Sequence, residues 1–484
     1  MKKFLTVLFL TGLLTTRIAA AENPAKTAGA GRAILGINGD QKRIVVTAVT
    51  ADGSPVQVEG CTVTEFPSGE ETVLTATGTK VILKGAITKL DCGGNRLTEL
   101  NVQGLTALQK LFCDDNLLTS LDVSGVTALQ SLSCGENLLT SLDVSGLTGL
   151  RELYCNRNHL SSLDVQSLTA LQDLFCNANK LTSLNVQDLK VLQRLHCNSN
   201  RLTLLNVRDL SALQELDCVG NELTSLDVHG VTALWELECS KNMLTLLDVQ
   251  SLTSLSKLDC SANQLASLDV RNLAALEKLD CRDNKLTSLN VQGLNTLQKL
   301  YCSENELTSL EIQGLKTLQK LNCYKNKLTS LNVQGLTALQ WLNCGYNELT
   351  TLNLKGLHAL RDLECFNNNL AELDVQAINT LQRLNCYHNK LSTLELSTLH
   401  GLQELCCYDN LFNEKNLIRI LTALPDRKQK KEGRALIYGK KNDPREGTIT
   451  DFSSSAELKA AFEAAKAKNW RFYKRDTVGN EEEV

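Results

Sequence analysis

Cysteine recurs every 21 residues along most of this chain. The series begins at Cys92 and runs through Cys113 and Cys134 to Cys407, sixteen times without an insertion or a deletion. Asparagine follows three residues after each of these cysteines, and aliphatic residues hold the places five and two before it. A period this regular predicts a repeat architecture in which each unit is one structural coil.

One unit has the consensus L-x-x-L-x-C-x-x-N-x-L-T-x-L-x-V-x-x-L-x-x. A period in the twenties with L-x-x-L-x-L-x-x-N is the leucine-rich-repeat signature, and cysteine here takes the place of the third leucine. The alternation in Leu132-Ser133-Cys134 predicts a short strand with leucine and cysteine directed inward and serine outward. The sequence therefore predicts a repeat solenoid with a concave parallel β-sheet of about 16 strands.

Two polar rows accompany the cysteines. The asparagine is expected to close each strand, because its amide can bond to the backbone of its own turn and of the next coil. A second row, nine residues after each cysteine, begins Asn101, Asp122, Asp143. It is interpreted as turn caps rather than a calcium stack, because Asn and Asp interchange along it and a metal site relies on charge.

Eighteen cysteines in an exported chain would ordinarily indicate disulfides. Sixteen of them occupy inward positions on adjacent strands, where the side chains point the same way and a relaxed S–S torsion is hard to reach. We predict that they are buried thiols filling a narrow core, and not a metal ladder, since leucine surrounds each sulfur. Cys61 and Cys406 fall outside the ladder at opposite ends and are not expected to pair within one molecule.

The N-terminal 21 residues are typical of a secretory signal peptide. Lys2-Lys3 precede an apolar run from Phe4 to Leu14, and three alanines end at Ala21. Cleavage after about Ala21 would make the mature protein secreted or cell-surface exposed, in association with the outer membrane.

The remaining chain divides into three predicted segments: an N-terminal cap of mostly strands at 22–84, the repeats at 85–411 and a C-terminal cap at 412–484. Within the C-terminal cap we expect helices at Glu414–Leu424 and Ser455–Asn469, and strands at Arg434–Tyr438 and Trp470–Tyr473. The basic run at 427–431 is expected to be a solvated loop.

Charge and histidine placement argue against catalysis and nucleic-acid binding. The formal net charge is −4, which gives no reason to expect a nucleic acid. His196 adjoins Cys197, but neighbouring strand residues face opposite ways, so no Cys–His pair forms. With no metal-ligand cluster or phosphate loop in the sequence, we expect no enzyme activity, no cofactor, no metal and no membrane span.

Aromatic residues are concentrated on the outward side of the repeats. Ten of the eleven between Gly85 and Leu411 lie three or one before, or one or two after, the cysteine. Strand propensity explains part of this bias, but not the gathering of rings near the C-terminal end. The centre instead carries Glu215, Asp217, Glu236, Glu238, Asp259, Asp280 and Asp283. Rigid exposed aromatic surface predicts a recognition site. The candidate ligand-binding residues are Tyr301, Tyr324, Trp341, Tyr346, Phe366, Tyr387 and Tyr408.

The repeat with cysteine on the strand and L-T-S-L-D-V after the asparagine, behind a signal peptide, resembles the internalin-J-like surface proteins, including those of Bacteroides-type Gram-negative bacteria. The resemblance covers residues from about Ile87 to Leu411. It implies a right-handed curved solenoid and a role in adhesion, virulence or biofilm formation. The mucin-binding repeats and wall-anchoring motif of Gram-positive members are absent from this sequence, so their host ligand and anchoring do not carry over.

The resulting hypothesis is a non-catalytic exported adhesion protein. It would recognise a protein or glycan partner on host cells or sister bacteria through the concave face, as a monomer. The alternative is a structural scaffold of the envelope or biofilm matrix that self-associates, through Cys406 or Cys61.

Overall fold

The computed structural model describes residues 31–439, 452–475 and 481–484. The predicted signal peptide at residues 1–21 lies outside these ranges. Within them, no helix combines the length and apolar character needed to cross a membrane. The described chain is a solenoid of stacked coils with short antiparallel strands at its N-terminal end and mixed helices and strands at the other.

The N-terminal strands cover the open edge of the first coil. They are β1 (Arg32–Gly36), β2 (Arg43–Thr50), β3 (Val56–Glu59), β4 (Glu65–Phe66), β5 (Thr72–Thr75) and β6 (Lys80–Lys84). Strand β2 pairs antiparallel with β7 (Ile87–Asp91), the first repeat strand, with Ala48 opposite Leu90. Strand β8 (Glu99–Asn101) pairs with β1. Strand β2 therefore satisfies backbone groups that an exposed sheet edge would leave unpaired.

Each later repeat adds one three-residue strand to a parallel sheet. These strands are β9 (Lys110–Phe112), β10 (Ser131–Ser133), β11 (Glu152–Tyr154), β12 (Asp173–Phe175), β13 (Arg194–His196), β14 (Glu215–Asp217), β15 (Glu236–Glu238), β16 (Lys257–Asp259), β17 (Lys278–Asp280), β18 (Lys299–Tyr301), β19 (Lys320–Asn322), β20 (Trp341–Asn343), β21 (Asp362–Glu364), β22 (Arg383–Asn385) and β23 (Glu404–Cys406). The register never shifts: Leu132 lies between Leu111 and Leu153. Together with β7, these strands confirm the predicted solenoid with its concave parallel sheet.

Leucine and cysteine of every repeat strand project into the core. Leu132 and Cys134 have no exposed surface, whereas Ser133 between them is partly exposed. The sixteen cysteines of the 21-residue series are all buried thiols. Burial raises the pKa of the Cys134 thiol to about 12, so it stays protonated at neutral pH. The prediction that these cysteines are apolar core fillers is confirmed.

The recurring asparagine joins each coil to the one before it. The Nδ2 of Asn200 donates to the carbonyl of Cys197 in its own coil, at 3.0 Å, and to that of Cys176 in the preceding coil, at 3.1 Å. Its Oδ1 accepts from the backbone N of Leu181 at 2.9 Å. The predicted backbone role is confirmed, but these bonds reach the preceding coil and not the next.

The residue two places after each cysteine adopts a left-handed backbone conformation. Glycine holds this place at Gly94 and Gly220, but the other repeats place a larger residue there, such as Ala178 with φ of 54°. The conformation turns the chain sharply between the strand and the asparagine. Larger residues tolerate it because the surrounding hydrogen bonds over-determine the backbone.

The C-terminal elements continue the sheet past the last repeat. They are α1 (Glu414–Ala423), β24 (Gly433–Gly439), α2 (Ala456–Ala467), β25 (Trp470–Arg475) and β26 (Glu481–Glu483). Strand β24 pairs parallel with β23 and with β25. Asn413 and Ser455 cap the two helices by accepting from backbone N–H groups. The two helices and two strands expected in this segment are therefore present, with boundaries shifted by a few residues.

The basic run contains one buried side chain, which the sequence interpretation missed. Arg427 is 4% exposed, and its Nη1 donates to the carbonyl of Leu402 at 2.9 Å while its Nε donates to that of Lys431. The expectation of a solvated loop is wrong at this position. A guanidinium can satisfy carbonyls that the last coil would otherwise leave without a donor.

Candidate functional site

Outward strand residues form two rows across the concave face. The first row holds the residue three places before each cysteine, and the second row holds the residue one place before it. Because the strands are parallel and in register, neighbours within a row lie about 4.8 Å apart. Tyr154, Phe175 and His196, for example, are consecutive members of the second row.

Five of the seven predicted rings form a chain of contacts where the strands end. We call this set the edge ladder: Tyr324, Tyr346, Phe366, Tyr387 and Tyr408. The ring of Tyr387 stacks on Phe366 at 4.7 Å and on Tyr408 at 4.6 Å between centroids. Tyr346 meets Phe366 edge to face at 5.7 Å. Phe366 and Tyr408 cover the two faces of Tyr387, so this ring presents its edge to solvent.

The edge ladder is continuous although one repeat contributes no ring at the usual place. Gly345 occupies that place, one residue after Cys344, and a Cβ there would lie 2.9 Å from atoms of the Phe366 ring. Tyr346 comes next, with φ of 50° and 47% of its surface exposed. Phe366 keeps only 9% of its surface exposed. Phe366 therefore holds the ladder together and offers little contact area to a partner.

The other two predicted residues lie on the sheet itself. Tyr301 belongs to the second row and Trp341 to the first, with 6.5 Å between ring centroids. The Nε1 of Trp341 donates to Glu364 at 3.2 Å, and the Nδ2 of Asn343 donates to the other carboxylate oxygen at 3.0 Å. The structure thus places all seven predicted residues in one part of the face, but divides them between the sheet and its edge.

A pocket of about 450 Å³ adjoins the edge ladder. We call it the C-terminal pocket; its polar and aromatic lining comprises Asp362, Glu364, Arg383, Asn385, Tyr387, Glu404, Cys406 and Arg434. The repeat pattern does not predict this pocket, because it depends on β24 pairing beside β23. The alternation of outward charged residues in the last repeats was the available signal.

The two rows contribute different charges to this pocket. The first row alternates in sign through Asp362, Arg383 and Glu404, and Arg434 of β24 extends it in register. The second row contributes Glu364, Asn385 and Cys406. Burial raises the pKa of the Glu364 carboxyl. The Oδ1 of Asn385 is buried and accepts no hydrogen bond from the residues that the structure describes.

A second aromatic cluster lies nearer the N-terminal end. Phe175 stacks on His196 at 4.2 Å and contacts Tyr154 at 5.0 Å. Arg194 lies over the Phe175 ring and forms two 2.7 Å hydrogen bonds with Asp173. The outward aromatic pattern of the sequence includes these rings but does not by itself group them with His196. Their recurrence at one repeat position was the signal that could have joined them.

Carboxylates separate the two aromatic regions. Asp217, Glu238, Asp259 and Asp280 are consecutive in the second row. Burial raises the pKa of Asp217 and of Glu238, and the negative charge of their neighbours adds to this effect. Asp280 is paired with Arg282 at 2.7 Å. The centre of the face is therefore a desolvated, partly neutralised acidic surface.

Neither histidines nor carboxylates assemble a metal centre in the described residues. The polar row nine residues after the cysteines caps turns, as Asp143 shows by accepting from the backbone N of Ser145 at 3.0 Å. The turn-cap interpretation is confirmed. Cys197 is fully buried behind His196, and burial raises its pKa far above the ordinary value, so the two side chains form no nucleophile pair.

The stacked cysteines recur in a solved structure. The functional domain of InlJ from Listeria monocytogenes, which includes a cysteine ladder, is 32% identical to this chain with a TM-score of 0.64; the match covers 76% of this chain and 79% of that one. The chain belongs to the InlJ-like leucine-rich-repeat proteins. The predicted resemblance is confirmed at this level.

Two further structures extend the comparison of this InlJ-like protein. A leucine-rich-repeat protein from Leptospira interrogans is 30% identical, with a TM-score of 0.62, and the match covers 69% of this chain and 93% of that one. The ectodomain of the Arabidopsis thaliana receptor kinase GASSHO1/SCHENGEN3, in complex with CASPARIAN STRIP INTEGRITY FACTOR 2, is 25% identical with a TM-score of 0.59; coverage is 69% and 45%. No protein-family model and no curated protein matches the chain.

Proposed function

We propose that this chain is an exported, non-catalytic adhesion protein that recognises a protein partner on host cells or sister bacteria. Binding would use the C-terminal third of the concave face. The observation that carries the proposal is the edge ladder beside the C-terminal pocket, both held on an in-register sheet. Aromatic side chains on a rigid backbone give large contact area with little loss of rotamer freedom.

The geometry of the ladder favours a protein over a glycan. Recognition of a sugar by aromatic residues uses an open ring face, but Tyr387 has Phe366 on one face and Tyr408 on the other. Ring edges and a charged pocket suit the mixed polar and apolar surface of a polypeptide.

Two other observations support export and binding. Residues 1–21 have the composition of a signal peptide. Among the similar structures, the Arabidopsis ectodomain carries its partner, CASPARIAN STRIP INTEGRITY FACTOR 2, in the complex. A leucine-rich-repeat solenoid is thus able to serve as a binding surface for another molecule.

The test is saturation binding of residues 22–484 to sister bacteria and to host epithelial cells. A variant with alanine at Trp341, Tyr346 and Tyr387 should lose binding while keeping the parent's melting temperature. Phe366 is left intact, because its buried ring supports the ladder. The matched control replaces Tyr154 and His196, which belong to the N-terminal aromatic cluster, and should bind as the parent does.

The outcomes separate the hypotheses. Loss of binding only in the control variant would move the site to the N-terminal cluster. Binding abolished by glycosidase treatment of the cells, and not by protease, would replace the protein partner by a glycan. Absence of binding by the parent, together with a solution mass above the monomer, would favour the self-associating scaffold.

A further inference from the structure

The charges of the C-terminal pocket are balanced in one row and unbalanced in the other. Arg383 is held by Asp362 at 2.8 Å, and Arg434 lies 5.0 Å from the centroid of the Tyr473 ring. Glu404 stands in register between these two arginines. The first row therefore compensates its own charge along the sheet.

The acceptors of the second row form no ion pair among the described residues, although the charge of Arg383 acts on Glu364 from the first row. The Glu364 carboxylate receives two neutral donors, Trp341 Nε1 and Asn343 Nδ2, which orient it but leave its negative charge. Asn385, the next residue in the row, has an Oδ1 with no donor among the described residues. A buried acceptor without a donor destabilises the folded state. The row would thus be stabilised by a group that brings both positive charge and several hydrogens.

The spacing of these acceptors restricts the group that can satisfy both. Adjacent positions of a row are about 4.8 Å apart. A guanidinium carries five donors in a rigid planar fork and can reach two acceptors at this separation, whereas an ammonium is a single point. Tyr387 lines the same pocket, and because Phe366 and Tyr408 stack on its two faces it bounds the pocket with its ring edge.

We propose that the C-terminal pocket is a subsite for an arginine side chain of the protein partner, with Glu364 and Asn385 as its acceptors and Tyr387 as its wall. This inference rests on the proposed function, because it names the residue type that the binding face selects. Its chemistry is nevertheless testable without the partner.

The probe is arginine capped at both ends, Nα-acetyl-arginine amide, with the corresponding citrulline and lysine compounds as controls. Citrulline keeps the length and a planar group but has no charge. Saturation-transfer NMR with residues 22–484 should detect the arginine probe, with at least tenfold weaker binding of citrulline and lysine. In a Cys61→Ser background, the arginine probe should also slow maleimide modification of the partly exposed Cys406.

Matched variants assign the binding to the second row. Glu364→Gln should weaken binding of the arginine probe at least tenfold, and Asn385→Ala several-fold. Glu348→Gln, at an exposed position outside the pocket lining, should change it less than threefold. Circular dichroism and melting temperature establish that each variant is folded.

Equal binding of citrulline and arginine, no detectable binding of either, or unchanged binding by Glu364→Gln would overturn the arginine subsite. These results leave the proposed function standing if the variant with alanine at Trp341, Tyr346 and Tyr387 still loses cell binding. Conversely, an arginine probe that binds as expected while that variant retains cell binding would refute the proposed adhesion surface alone.

Discussion

The ring of Phe366 occupies the space that a side chain at Gly345 would need, because a Cβ at position 345 would lie 2.9 Å from two of its ring atoms. In this position the ring of Phe366 contacts Tyr346 on one side and Tyr387 on the other. The absence of a side chain in one repeat is therefore what makes the edge ladder continuous.

Substitution Gly345→Ala should disrupt this arrangement. The new methyl group must push Phe366 away from its neighbours, so we expect a loss of about 1–3 kcal/mol in unfolding free energy and weaker partner binding. Urea denaturation and the cell-binding assay measure the two effects. Gly146→Ala is the control, since a Cβ there meets nothing within 4 Å. Equal stability of the two variants would show that the ring is not held in place.

Removing the recurring asparagine of a coil should destabilise the fold far more than removing a neighbouring asparagine of the same turn. Asn200→Ala removes the acceptor for Leu181 N and the donor to two cysteine carbonyls, and leaves buried backbone groups unpaired. We expect destabilisation of about 2–4 kcal/mol. Asn198→Ala, two residues earlier and partly exposed, should change stability by about 0.5 kcal/mol or less. Similar denaturation midpoints for the pair would contradict the inter-coil role.

Thiol reactivity should divide the eighteen cysteines into two groups. Burial raises the pKa of Cys134 and of Cys323 to about 12 and blocks access, whereas Cys61 and Cys406 are partly exposed. Titration with Ellman's reagent should therefore give two equivalents in the native state and eighteen in denaturant. Rapid native reaction of more than two thiols would contradict the sealed ladder.

Acid should remove a destabilising effect of the central carboxylates. Burial raises the pKa of Glu238 above its ordinary value of 4.5, so the folded chain holds this proton more tightly than the unfolded chain. The protonated carboxyl of Glu238 therefore favours the folded state. This contribution to stability is complete at pH values below the ordinary pKa of 4.5 and is lost as pH rises through the folded-state pKa.

Substitution Glu238→Gln should accordingly raise the melting temperature slightly at neutral pH, with the gain disappearing in acid. Differential scanning calorimetry at about pH 7 and about pH 4 measures both conditions. Glu222→Gln, at an exposed position, controls for a general loss of negative charge. A gain that persists unchanged in acid would rule out the protonation account.

The sequence by itself determined the solenoid. The 21-residue spacing of cysteine and asparagine leaves one register in which the consensus leucines are inward, because a slip of one residue would expose the core face. Burial of the thiols and capping of the turns followed from the same pattern. The export, adhesion and biofilm assignments, the segment boundaries at 84 and 411 and the absence of catalysis remain predictions.

Only the tertiary structure decided how outward side chains combine. Positions 21 residues apart become neighbours on the sheet, but the direction of each side chain depends on the next coil, as Phe366 over Gly345 shows. The C-terminal pocket likewise needs β24 to pair with β23 across 26 intervening residues, most of which lie beyond the last repeat. A periodic pattern specifies its core because every coil repeats the same contacts, whereas contacts that occur once have no pattern from which to read them.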